Sequence, residues 1–400
     1  MSEELVDIAV GRIGHMCAFD YDMCLMYVLG GYNGYNKEMQ TKYLSSQELW
    51  IYDTLIEKWS MRRCTGEMST TDIPAGTSGA SCIISSHYLY MFGGYTEEGN
   101  SNQLFRLNLK NFQWKQLEPL GKRPLACDKS VCWIYDNKMY LFGGYGCVPI
   151  ETRDERNFDF VYDPKSHWHY PRGWNNQLVY YDLTFNQWVW FKTEGKVPIP
   201  RAAHAVAKVG HKVYIFGGRH EELRMNDIYS LDMKQMSWTE VYSFNDNNET
   251  SVPIGRSWHS FTPLSDKQII LYGGFSQDNK PLSDCWALDI ESMTWSTIDL
   301  PFNKPRIWHS SIASSFGEII IFGGATHNIL DLQNLRNIKD LYSGDIIVLR
   351  FVPKSLLRLC LDASVMNYHL LHKQWKYLPR NVKHMLELKK NTIQTNSAGS

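Results

Sequence analysis

The chain has no apolar run approaching the roughly 18 residues of a membrane-spanning helix, so no helical span is expected. It has almost no net charge, with 41 Lys and Arg against 42 Asp and Glu. A global pull toward nucleic acid or an acidic membrane is thereby excluded, and any charge selectivity must be local. The nine cysteines include no Cys-x-x-Cys pair, and the nearest neighbours, Cys17/Cys24 and Cys127/Cys132, lack a common zinc-ligand spacing. Residues Met1 to Val10 lack the basic start and apolar core of a signal peptide. A reduced cytoplasmic or nuclear setting is expected, and the sequon Asn248-Glu249-Thr250 then has no role. His167 and His169 flank Trp168 without a third ligand, so neither a metal nor a cofactor is expected. No Ser-His-Asp arrangement can be argued, and a non-enzymatic protein is expected.

What the chain has in quantity is aromatics, 14% of residues, which favour strands. It also has a repeat. Gly-Gly pairs follow an apolar run six times, at Gly30, Gly93, Gly143, Gly217, Gly273 and Gly323 with the glycine after each. The intervals are 63, 50, 74, 56 and 50 residues. Four repeats carry Arg-x-x-His ahead of the pair: Arg12 to His15, Arg201 to His204, Arg256 to His259 and Arg306 to His309. Those side chains are expected to bond within and between repeats. A Trp opens a fourth strand at Trp59, Trp114, Trp188, Trp238 and Trp295, and is expected to fill the space between repeats. A period near 50 with these marks resembles the kelch repeat. The resemblance implies an all-β, six-bladed kelch β-propeller over residues 1–352, followed by a helical segment at 353–388 and a flexible tail at 389–400. The sixth repeat lacks its Trp, and residues 5–10 precede the first repeat. The N-terminus is therefore expected to supply the missing strand of the last blade and close the ring.

Function is sought where the repeats are broken. The third is the longest, with 44 residues from Gly144 to Trp188 against 20 from Gly218 to Trp238. Its extra residues, Cys147 to Trp174, are expected in a loop over one face, and Lys129 is read as replacing its histidine. Gly143-Gly144-Tyr145-Gly146 has no following Lys-Ser/Thr, so it is not a phosphate loop. In the fourth repeat Arg219 follows the Gly pair, where the others have Tyr32, Tyr95, Tyr145, Phe275 or Ala325, and Arg224 comes five residues later. One face would thus gather Lys129, Tyr145, Trp174, Arg219, Arg224, Ser257 and Trp258. Two convergent arginines suit a carboxylate or phosphate held by forked hydrogen bonds. They could instead pair with Glu221, Glu222 or Asp227 nearby.

Phe216 to Arg219, Arg224 to Asp227, Arg256 to His259, Pro171 to Asn175 and Asp128-Lys129 resemble the kelch-domain receptors of C-terminal glycine degrons. Those are substrate receptors of cullin–RING ubiquitin ligases. The resemblance implies that Arg219, Arg224 and Ser257 hold the carboxylate of a Gly-Gly chain end, with Lys129, Tyr145, Trp174 and Trp258 as the pocket wall. Aromatic walls that exclude a Cβ would select glycine.

Ser355-Leu356-Leu357-Arg358-Leu359-Cys360 resembles the box that docks Elongin C, with Ser355, Leu356, Leu359 and Cys360 in the docking positions. The aliphatic residue expected four places after Cys360 is Ser364, with Val365 beside it. Leu378, Pro379 and Val382 resemble a cullin-2-selecting box. The implied partners are Elongin B, Elongin C, and cullin-2 with its RING subunit. The chain ends Gly399-Ser400, close to a Gly-Gly end, which suggests that this tail enters its own or a neighbouring pocket. Three readings stand on sequence: a ligase substrate receptor, a kelch scaffold that binds an internal segment of a partner, and a propeller enzyme.

Overall fold

The computed structural model describes residues 4–6, 9–35, 41–147, 158–166, 171–244, 251–331 and 341–390. They form a six-bladed β-propeller followed by short helices. Each of the first five blades is an antiparallel meander of four main strands. The fourth blade runs Ala205–Val209, Lys212–His220, Leu223–Asp232 and Ser237–Tyr242. The sixth has three strands, Ser310–Ala313, Glu318–Phe322 and Ile346–Arg350.

The core lies between blades. At four of the six blades the aromatic ahead of the Gly pair packs on the Trp of the next blade, as in Phe92–Trp188, Phe142–Trp238 and Phe216–Trp295 at centroid distances of 5.2, 5.2 and 5.3 Å. Phe322 of the last blade meets Trp59 of the first in the same way at 4.9 Å. Such contacts bury large apolar area and carry most of the packing energy. The first glycine of each pair is required by closeness as well as conformation. At Gly217, with φ +63°, a Cβ would stand 2.8 Å from the Arg256 carbonyl of the next blade.

A second device fixes the ring. One residue per blade sits at positive φ near the axis: Gly14, Gly79, Lys129, Ala203, Trp258 and Trp308. Their backbones form a closed cycle in which each N–H donates to the carbonyl of the residue one blade earlier, and Gly14 donates to Trp308 at 3.3 Å. The cycle places Lys129 level with Gly14, so Ser130, not Lys129, takes the histidine position of the third repeat. Ser130 there shares a 2.9 Å hydroxyl contact with Ser81 of the second blade.

The N-terminal strand is not where sequence placed it. Glu4–Val6 pairs antiparallel with Lys58–Arg63, the outer strand of the first blade, and adds nothing to the last. The seam is closed by the Phe322–Trp59 contact and the axial cycle, which need no shared strand. In the second and fourth blades the outer edge is taken by the incoming linker running parallel, as Glu194–Gly195 runs beside Ser237–Tyr242. The strand at Glu4–Val6 fills that same position on the first blade.

After the propeller come α1, Leu356–Met366, then α2, Tyr368–Leu371, a 3-10 turn, His372–Tyr377, and α3, Arg380–Lys390. α3 therefore extends two residues into the stretch expected to be flexible. Lys389 is held by Asp362 at 2.8 Å and by the Ile56 carbonyl at 3.2 Å.

Candidate functional site

One backbone bridge recurs in every blade on the face where the second and third strands join. Ile13 pairs with Tyr32, Ser78 with Tyr95, Asp128 with Tyr145, Ala202 with Arg219, Ser257 with Phe275 and Ile307 with Ala325. The fold thus supplies six equivalent positions, and the sequence decorates them unequally.

Arg219 and Arg224 are direct partners across the hairpin of the fourth blade. Opposed residues of an antiparallel pair project to one face, which is why a five-residue spacing makes the two cations converge. Arg224 is buried, 6% exposed, and its Nε donates to Ser257 Oγ at 3.2 Å. Its guanidinium lies 4.6 Å from the Phe275 ring centroid. Burial, and then the Arg219 charge, lower its pKa to about 10. Arg219 lies 5.6 Å from the Trp174 centroid, and its Nε donates to the Glu221 carbonyl at 2.7 Å.

The nearby acids do not neutralise this pair. Asp227 is held by Arg201 through two hydrogen bonds of 2.7 and 2.8 Å. Glu222 is exposed, pairs with Lys165 at 2.9 Å and reaches Arg219 only at 3.9 Å. Among the described residues no ion pair satisfies Arg224. The arrangement suits an incoming anion, which would restore the charge balance that burial has removed.

The remaining expected residues join in a chain of contacts. Trp174, in a strand rather than a loop, lies edge-on to Tyr145 at 5.3 Å. Tyr145 donates to Asp163 at 2.8 Å. Burial, and then that hydrogen bond, raise its pKa. Lys129 pairs with buried Asp128 and stands 5.8 Å from the Tyr145 centroid and 5.1 Å from that of Trp308. Burial lowers the Lys129 pKa, with Asp128 opposing. Trp308 stacks on Trp258 at 5.3 Å with planes 19° apart. All seven residues expected at the site therefore form one patch.

Three further contributors emerge. Trp308 lies over Gly14 and Gly79, where a Cβ at Gly14 would come within 2.9 Å of its ring. Aligning the fifth and sixth repeats on Arg-x-x-His would have found it, since Trp308 repeats Trp258. Phe275 holds the same post-glycine position as Arg219. Arg172 sits between Tyr95 and Tyr145 at 4.6 and 4.4 Å and lies 3.5 Å from Asp128. No repeat rule marks it.

The sequence matches the KLHDC2/KLHL20/DRC7 Kelch-repeats domain over residues 14–266 and 168–324. The chain belongs to this kelch-repeat family. The kelch protein is 36% identical over 381 residues to Kelch domain-containing protein 2 of Bos taurus, covering 93% of this chain and 89% of that one. It is 35% identical to the Homo sapiens protein of that name, with the same coverage. It is 34% identical to Kelch domain-containing protein 1 of Homo sapiens, covering 94% of this chain and 89% of the relative.

In the tail of the kelch protein, Ser355 caps α1 by accepting from the Arg358 N–H at 3.4 Å. Leu356 and Leu359 are 77% and 50% exposed and Cys360 is exposed, so three of the positions expected to dock share an outward apolar stripe. Val365 points inward, 4% exposed, and does not replace Ser364 on that stripe. Leu378 is exposed, Pro379 follows it, and Val382 packs on the tail's own small core. His167, His169, Gly399 and Ser400 lie outside the described residues. No described helix is long and apolar enough to cross a membrane.

Proposed function

We propose that this kelch protein is a non-catalytic substrate receptor of an Elongin B/C and cullin-2 ubiquitin ligase that captures the free C-terminal carboxylate of proteins ending in Gly-Gly. The observation that carries the reading is Arg224, buried, flanked by Arg219 and bonded to Ser257, with no ion pair among the described residues. A carboxylate offers two oxygens to two arginines and a hydroxyl, and a chain end is the form in which a protein presents one at low steric cost. Trp174, Trp258, Tyr145 and Lys129 then wall the last residues. The exposed Leu356, Leu359 and Cys360 support docking of a groove-bearing partner such as Elongin C. Catalysis would be the ligase's, with the receptor contributing proximity.

Reconstitution tests the reading. With Elongin B/C, cullin-2 and its RING subunit, ubiquitin should pass to a lysine-bearing substrate ending in Gly-Gly. The same substrate with one added C-terminal lysine should stay unmodified. Equal modification of both substrates, or of neither, would leave a kelch scaffold that binds an internal segment.

A further inference from the structure

α1 carries an arginine in its first turn, where the helix dipole disfavours a cation. Arg358 is also buried, 2% exposed, on a helix whose neighbouring leucines are exposed. Its partners come from opposite ends of the propeller. Nη2 donates to Glu57 of the first blade at 2.6 Å. Nη1 lies 2.9 Å from Glu318 of the last blade as an ion pair, off the line of a hydrogen bond. The guanidinium also lies 5.1 Å from the Phe316 centroid.

It belongs to a network of three carboxylates and four cations. Glu57 is also met by Arg350 at 3.0 Å, Lys354 at 3.1 Å and Lys389 at 3.5 Å. Glu318 also meets Arg350 at 2.9 Å. Asp362 of α1 joins Lys354 and Lys389 at 2.9 and 2.8 Å. Leu361 and Val365 pack with Trp375 and Leu386 against Leu55 of the first blade. The network lies at the seam where, among the described residues, the last blade has no fourth strand.

We propose that Arg358 is a positioning residue, which bolts α1 across the seam between the last and first blades so that propeller and exposed helix stripe move as one body. Apolar packing alone would let α1 slide or roll on Leu55. A buried cation between two fixed carboxylates permits one register, the best-attested use of such pairs. This inference rests on the proposed receptor reading for its purpose, because a receptor must hold its substrate at a set distance from the ligase.

The test uses the full chain with nitroxide labels at the exposed Cys360 and at Met68→Cys, with Cys17, Cys24, Cys82, Cys132 and Cys147 replaced by serine. Pulsed electron–electron resonance should give a narrow distance distribution. Arg358→Met should broaden it about twofold or more, Arg358→Lys should restore part of the narrowness, and Glu318→Gln should broaden it through the other partner. Binding of a Gly-Gly peptide should stay unchanged, which would report an intact propeller. In the ligase reconstituted with Elongin B/C, cullin-2 and its RING subunit, the unlabelled Arg358→Met protein should still bind Elongin B/C while ubiquitin transfer falls. An unchanged distribution in both Arg358→Met and Glu318→Gln would overturn the proposal. Failure of the parent protein to bind Elongin B/C would count against the ligase reading alone, because the distance measurement needs no ligase.

Discussion

Arg219 and Arg224 are register partners on one hairpin, yet only Arg224 is buried, and it is Arg224 that holds Ser257 of the next blade. Two cations are thereby brought together at a blade boundary, and among the described residues no ion pair satisfies Arg224. Such an arrangement costs stability in the free protein and is relieved by an anion.

The free protein should show that cost. Arg224→Met should leave stability unchanged or raise it by about 1 kcal/mol, while removing most carboxylate binding. Arg201→Met should do the reverse, losing about 3–5 kcal/mol because Asp227 would stay buried without its fork. Urea unfolding of both variants, beside peptide titrations, separates the binding arginine from the structural one.

The aromatic floor should matter to binding through support. Trp308→Ala removes the ring that stacks on Trp258 and backs Lys129. Peptide affinity should fall about tenfold, on the order of 1.4 kcal/mol. Isothermal titration checks this, and an unchanged affinity would place Trp308 outside the pocket.

Ring closure by packing predicts an asymmetry between two small changes. Trp59→Ala should cost about 3–5 kcal/mol, because it empties the contact with Phe322 across the seam. Removing residues 1–6 should cost far less, since Glu4–Val6 only lines the outer edge of the first blade. The two unfolding midpoints decide between packing and a shared strand.

Acid should weaken the propeller through its histidines. Burial first, and then neighbouring charge, lower His204 and His309 to about 3, and His15 and His259 well below the usual value. Unfolded histidines protonate near pH 6.5, so between about pH 6.5 and 3 the unfolded state binds more protons. Stability is therefore full above about pH 6.5 and falls as pH drops through that window, by about 1.4 kcal/mol per pH unit for each histidine. Urea midpoints at pH 7, 6 and 5 should decline with increasing slope.

The blades were legible because each repeats the same marks, and the convergence of two arginines on one hairpin because Arg219 breaks one. Arg219 stands out against five uncharged residues at its position, and Lys129 stands out in the third repeat. Its level in the blade was misread by one residue, since only the axial hydrogen-bond cycle defines it. Trp308 was legible as well, since it stands level with Trp258 inside Arg-x-x-His, but only the fold shows its ring over Gly14 and Gly79. The N-terminal strand was misplaced because apolar pattern says that a strand exists and not which edge accepts it. Arg358 was hidden for a related reason. Its partners, Glu57 and Glu318, lie 301 and 40 positions away in sequence and meet only at the seam.

The most direct test of the receptor reading is fluorescence polarisation with a labelled peptide ending in Gly-Gly, beside the same peptide amidated at its C-terminus. The account predicts tight binding of the free acid and loss of binding by the amide, with Arg224→Ala behaving toward the acid as the parent behaves toward the amide. Equal binding of acid and amide would contradict it.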